Sequence, residues 1–322
     1  MHRIAVIDIG SNAIRCTVAD VLAHDALMVV ADERIQTRLA TGLMSTGRLS
    51  DETMTRSVEA LETLLALTHT HGASAVRAIA TAAVRTATNG QEFIDRVHRE
   101  LGLAIEVIDG QREARLALIS AATAFTLPDP VCIADIGGGS LEIVLHSGDC
   151  TSLAVSLPLG AVAVLSRLPA GDAAPRAFVL EHVREGIRDE LVAALGPEPG
   201  PIPTAICGGG TITSLVGAIA ARRGESLSDL HGTSARIEDF QELAACVAAS
   251  TLTERGLIPG IPPYRAQTVL PGSLVMLELF ALLGTDTVIA NRKGIREGVM
   301  IEMAQQLGTP GRSRSTSVEG LA

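Results

Sequence analysis

A duplicated α/β fold of two domains, with a ligand held in the cleft between them, is what this sequence predicts. Three observations carry the prediction. First, one unit occurs twice. Ile4-Ala5-Val6-Ile7 leads into Asp8-Ile9-Gly10-Ser11-Asn12 and on to a second strand-like run from Ile14 to Ala19. Val131-Cys132-Ile133-Ala134 leads into Asp135-Ile136-Gly137-Gly138-Gly139-Ser140 and on to Leu141–Leu145, with Asp8 and Asp135 standing 127 positions apart. Second, strand and helix patterns alternate along both halves. Third, 322 residues give room for two domains of about 150 each.

The elements follow in order. Residues 3–9, 13–20 and 26–33 read as a strand meander around the first turn. Ser50 is placed to cap a helix through residue 68, with Asp51 and Glu52 in its first turn, where the helix dipole favours acids. Ala75–Ala80 reads as a strand, Glu92–Leu101 as a helix, Ile105–Ile108 as a strand, and Gly110 opens a helix through Thr123. Leu127-Pro128-Asp129-Pro130 is the predicted boundary, giving domains 1–127 and 128–307. The second half reads as strands at 131–136, 141–146 and 151–157, a helix at 175–195, a strand at Thr204–Cys207 and helices at 211–221, 237–249 and 265–283. A short strand, Val288–Ala290, and a last helix, Gly294–Gln306, complete it. Residues 308–322 lack apolar periodicity and are expected to be disordered.

Composition narrows the function. Apolar residues make up 47% of the chain and aromatics 2%, with no Trp, so the core must be built from Ala, Val, Ile and Leu. A net charge of −10 argues against a nucleic-acid partner, which usually selects a basic face with aromatic platforms. The only lysine, Lys293, lies in Asn291-Arg292-Lys293-Gly294, which excludes a P-loop. Cys16, Cys132, Cys150, Cys207 and Cys246 have no Cys-x-x-Cys spacing and read as reduced thiols. No signal peptide precedes Ile4, and no uncharged apolar run reaches the roughly 20 residues of a membrane span. A cytoplasmic protein without a membrane partner is expected.

Glycine turns after buried strands let backbone N–H groups approach a phosphate closely. Ser11, Asn12, Gly137, Gly138, Gly139 and Ser140 are therefore candidate phosphate contacts, and Gly209, Gly210 and Thr211 form a third such turn at a helix start. Asp8, Asp135 and Glu142 are candidate ligands for magnesium or manganese, since magnesium favours one or two carboxylates plus substrate phosphates. Arg85, following a strand and a small-residue turn, is placed to fork onto phosphate oxygens. From its own segment, Glu113 reads only as a first-turn glutamate favoured by the helix dipole. His69 and His71 read as solvated residues at a helix end rather than a zinc site.

Taken together, these segments resemble the exopolyphosphatase/guanosine pentaphosphate phosphohydrolase family, of the sugar kinase/actin/Hsp70-like superfamily with its duplicated ribonuclease H-like fold. The resemblance runs from Ile4 to Glu302. It rests on Asp8 to Asn12, Arg38-Leu39-Ala40-Thr41-Gly42-Leu43, Ala80 to Arg85, Asn89-Gly90, Gly110 to Leu116, Asp135 to Ser140 with Glu142, Gly209-Gly210-Thr211, and Gly294 to Gly298. It implies that Glu113 is the catalytic base for water, that Arg85 binds phosphate, and that Asp135 and Glu142 form a second acidic pair in catalysis. It also implies a homodimer. The chain departs from the family pattern at Arg112, Gln267 and Asn291, which bears on substrate preference. It ends before the C-terminal HD-type helical domain of longer members, so short polyphosphates are expected. His24-Asp25, the only His-Asp pair, sits in a hairpin-like turn and is no remnant of that domain.

The expected function is removal of the terminal phosphate of inorganic polyphosphate. Guanosine pentaphosphate (pppGpp) is the alternative substrate. Phosphate transfer to ADP, and non-catalytic sensing of polyphosphate or of a (p)ppGpp alarmone, are the rival readings.

Overall fold

The computed structural model describes residues 2–22 and 26–307. The expected turn at His24-Asp25 and the expected tail at 308–322 lie outside the described residues. The chain divides into two compact units. Of the described residues, one comprises those up to Asp109, Ser147–Ser152 and those from Ile295 onward, and the other Gly110–His146 and Leu153–Gly294.

In the first unit, β1 (His2–Ile9), β2 (Ile14–Val21) and β3 (Leu27–Ile35) form the expected antiparallel meander. Then β4 (Ala75–Ala80) joins β1 in parallel, and β5 (Ile105–Val107) joins β4, giving the order β3-β2-β1-β4-β5. Side chains alternate across a strand. Ala5, Ile7 and Ile9 of β1 face the same core as Cys16 and Val18 of β2. Helix α1 (Leu43–Thr46) precedes α2 (Asp51–Thr70), which is started by Ser50, whose hydroxyl accepts from the Thr53 N–H as the sequence predicts. Helices α3 (Ala82–Thr86) and α4 (Gly90–Leu101) complete this side.

In the second unit, α5 (Gly110–Ala124) precedes β6 (Val131–Ile136), β7 (Leu141–Ser147) and β8 (Cys150–Leu157). After α6 (Ala161–Leu165) and α7 (Ala177–Leu195) come β9 (Thr204–Gly208), α8 (Gly210–Arg222), β10 (Ser234–Arg236), α9 (Ile237–Ala249), α10 (Leu252–Arg255), α11 (Ala266–Leu283) and β11 (Thr287–Ala290). The sheet order is β10-β11-β9-β6-β7-β8. The last helix, α12 (Ile295–Gln306), returns to the first unit and packs on β1.

The units therefore do not divide at residues 127/128. Ala114, Ala117 and Ala121 of α5 share a core with Val131, Ile133, Val144 and Ile206, which ties α5 to the second sheet. The prolines near residue 128 end a helix inside one unit rather than linking two. Pro263–Leu283 is long and apolar enough to cross a membrane by length and composition, yet 78% of its apolar 18-residue stretch is buried in the fold, and Arg265 and Glu278 interrupt the helix. It is a core helix carrying a buried acid, Glu278, which receives Arg184 at 2.6 Å and Arg188 at 2.9 Å from α7.

The repeat holds at the level of hydrogen bonds. Gly10 N–H donates to the Ala13 carbonyl at 3.2 Å, and Gly137 N–H to the Ser140 carbonyl at 3.0 Å, the same turn in both copies.

Candidate active site

Each repeat turn is tied back through its carbonyls. In the second unit the Ala161 N–H reaches the Gly137 carbonyl at 3.0 Å, and Val162 that of Gly138 at 2.8 Å. A side chain on Gly160 would lie 2.4 Å from the Gly138 and Gly139 backbone, so glycine is required at 160 for the turn to pack against α6. In the first unit the Ser11 carbonyl accepts from Ala40 N–H at 2.9 Å and that of Asn12 from Arg38 N–H at 3.0 Å. Ser11 is buried.

Asp135 ends β6 beside Gly208 of the parallel strand β9. Three glycines close around its carboxylate. A Cβ at Gly208 would sit 3.2 Å from its Cγ, one at Gly209 3.0 Å from Oδ1, and one at Gly294 3.1 Å from Oδ2. Gly209 has φ 93° and a Cβ there would lie 2.2 Å from the Ile136 carbonyl oxygen, so no other residue fits. Because β6 and β9 run parallel, Gly137–Ser140 and Gly209–Thr211 leave the sheet at the same end, the carboxyl end where open α/β sheets bind ligands. Thr211 itself is buried, its side chain against Gly272 of α11.

Glu142 is the cross-strand partner of Asp135. It is buried, as is Glu113 in the first turn of α5. Burial holds the Glu142 carboxyl well above the usual range, and the Glu113 and Asp135 charges push it further. Hydrogen bonds from Ser140 and Ser156 offset part of this, the Ser156 Oγ donating to Glu142 Oε1 at 2.8 Å. The structure thus brings together Glu113, Asp135 and Glu142, and it turns the Ser140 hydroxyl toward Glu142.

In the first unit, Asp8 ends β1 opposite Arg15 of β2. Its carboxyl is raised by burial, with the charges of Arg296 and then Arg15 opposing the rise, and its Oδ1 is buried without a hydrogen-bond partner among the described residues. Arg296 is buried and bonds Thr17 and Asp32. Arg85 follows β4, the parallel neighbour of β1, so it leaves the sheet at the same end as Asp8. Its guanidinium donates to the Ile108 carbonyl at 2.8 Å.

The residue opposite the aspartate differs between the two copies. Asp8 faces an arginine where Asp135 faces a glutamate, Arg15 and Glu142 being 127 positions apart. The first turn carries its own counter-charge, whereas the second assembles like charges. Among the described residues no three His, Cys, Asp or Glu side chains form a ready metal-binding set. Buried carboxylates that raise one another's proton affinity nevertheless suit a divalent cation that takes its remaining ligands from phosphate and water.

Sequence reading missed Ser156, Gly160 and Arg265. The Arg265 guanidinium occupies the space a Gly210 side chain would need, 1.8 Å from the Cβ position, at the start of α8. Each of the three acts through a partner at least 14 positions away, a separation local pattern does not register.

A doubly copied Asp-Ile-Gly turn on two α/β sheets, one copy with a buried acidic cluster, defines a protein built to handle phosphate. The Ppx/GppA phosphatase family model matches residues 17–307, and the chain belongs to that family. It is 29% identical over 318 residues to Exopolyphosphatase 2 of Mycobacterium tuberculosis, covering 94% of this chain and 99% of that one. The crystal structure of an exopolyphosphatase from Cytophaga hutchinsonii matches at 26% identity and TM-score 0.87, over 97% of this chain and 100% of that one. The Aquifex aeolicus Ppx/GppA family member matches at 29% identity and TM-score 0.79, over 95% and 99%.

Proposed function

We propose that this chain is an exopolyphosphatase, which breaks the terminal P–O–P bond of inorganic polyphosphate by attack of water and releases orthophosphate. The observation that carries the reading is the acidic group of buried Glu113 and Glu142 with half-buried Asp135, next to a glycine turn whose carbonyls are tied back. The names of the Mycobacterium and Cytophaga relatives point to the same substrate class.

Phosphoryl transfer asks mainly for positioning and for charge stabilisation. In the proposed mechanism Glu113 orients the attacking water and takes its proton. Arg85 forks onto terminal phosphate oxygens. Backbone N–H groups of Ser11, Asn12, Gly137, Gly138 and Gly139, with those of Gly209, Gly210 and Thr211, hold the phosphates. Magnesium or manganese, held by Asp135 and Glu142 with Asp8 as a further candidate, would supply positive charge against the charge developing on the phosphate.

The test is magnesium-dependent phosphate release from short polyphosphate, long polyphosphate and pppGpp, for wild type and Glu113→Gln. Release from polyphosphate that falls at least about 100-fold in the variant is expected, the scale of a lost general base. Release from pppGpp alone would move the substrate to the nucleotide. ATP formation from polyphosphate and ADP would make the reaction a transfer. Tight binding without turnover would make the protein a sensor.

A further inference from the structure

We propose that Ser156 is a positioning residue that fixes the spacing and orientation of the Glu113 and Glu142 carboxylates. The inference rests on the reading that this carboxylate group is the reaction centre. Two independent contacts meet at Ser156. Its hydroxyl donates to Glu142 Oε1 at 2.8 Å. Its Cβ lies 2.4 Å from where a Gly110 side chain would stand, and its Oγ 3.0 Å from it, so β8 and the first residue of α5 touch with no room between them. Glu113 lies in that same first turn of α5.

One side chain therefore links the two acidic elements. Moving Ser156 moves the start of α5, and removing its hydroxyl frees one oxygen of Glu142. Serine suits both tasks. It is small enough for a close approach of strand to helix, and it has one O–H to direct at a carboxylate. A buried carboxylate among other acids keeps one orientation only while donors hold it, and Ser140 is the other hydroxyl on Glu142. Misplacing a reacting group by about 1 Å can cost about 100-fold.

The experiment compares wild type, Ser156→Ala, Glu142→Gln and the double variant, with thermal melts of each and crystal structures of wild type and Ser156→Ala. Alanine keeps the Cβ against Gly110 and removes only the donor. The expected result is a kcat lowered about tenfold with KM within about twofold, as for a lost interaction used in the transition state. The melting temperature should stay near that of wild type, and the serine change should have no further effect on the residual rate in the Glu142→Gln background. In the crystal the Glu142 carboxylate should rotate or split between conformers. An active wild type whose rate survives Ser156→Ala, or a loss of equal size with Glu142 already removed, would overturn the proposal. If wild type releases no phosphate from polyphosphate, the exopolyphosphatase reading fails separately. The crystal comparison then decides alone, and an unmoved Glu142 carboxylate overturns the positioning role.

Discussion

At Glu142, burial and two neighbouring carboxylates favour the protonated form, while two hydroxyl donors favour the ionised one, and the balance lies with the proton. A cation bound there would have to displace that proton, which links the proposed metal binding to pH. Magnesium should bind more weakly at pH 6 than at pH 8, measured by titrating the metal and following phosphate release at each pH. The same residue links pH to stability. Its folded-state pKa lies above the unfolded value, so its contribution is fully present below the unfolded pKa and is lost as pH rises through the folded one. In metal-free buffer, Glu142→Gln should melt at a higher temperature than wild type at pH 8, and the gap should close toward pH 5. A gap that widens on acidification would refute this account. The sequence announced Asp135 and Glu142 through their turn and strand. It was silent on Ser156, because nothing in Val155-Ser156-Leu157 says which carboxylate the hydroxyl meets.

The clamp between α7 and α11 carries an asymmetry at the level of elements. Glu278 is 2% exposed, whereas Arg184 and Arg188 are 41% and 47% exposed. Removing the acid returns two arginines to water they already touch. Removing both arginines leaves a buried charge alone, which costs about 3–5 kcal/mol. The double change Arg184→Ala/Arg188→Ala should therefore destabilise by about that amount, and Glu278→Met by about 1.5 kcal/mol or less, both read from urea unfolding. Equal losses would show that the clamp works by packing alone. Long elements were legible because they carry a full period. Ser50 marked the start of α2, and Ile237–Ala249 matches its expected helix from end to end. The elements absent from the sequence reading are short, such as α6 with five residues and β10 with three. Helix α6 exists because its N–H groups bond the Gly137 and Gly138 carbonyls, a partnership that local propensity cannot foretell.

For the whole molecule the decisive quantity is charge. A chain at −10 repels a polyanion everywhere except where local groups outweigh the field. Only the terminal units of a polyphosphate are held in the proposed mechanism, so each further unit adds repulsion without contact. Short chains should be the better substrates at low salt, with kcat/KM falling or flat beyond a few dozen units. Added salt should narrow the difference by screening the repulsion. A steep rise of kcat/KM with length at low salt would contradict both expectations. The two-unit α/β organisation and the family were readable from the repeated turns and the motif order. The division of the chain was not, because α5 and α12 each pack with a sheet on the far side of the boundary that proline composition suggests.

The register position held by Arg15 in one turn and Glu142 in the other has a use beyond electrostatics. A duplicated chain is a controlled comparison with itself. Where both copies keep the same feature, as at Asp8 and Asp135 or Gly10 and Gly137, the shared ancestor and the demands of the turn suffice as explanation. Where they part, each copy has been put to separate work. Aligning the two halves of a single molecule thus sorts inherited architecture from acquired occupation, and it marks the second turn as the one whose charges the chain leaves unbalanced.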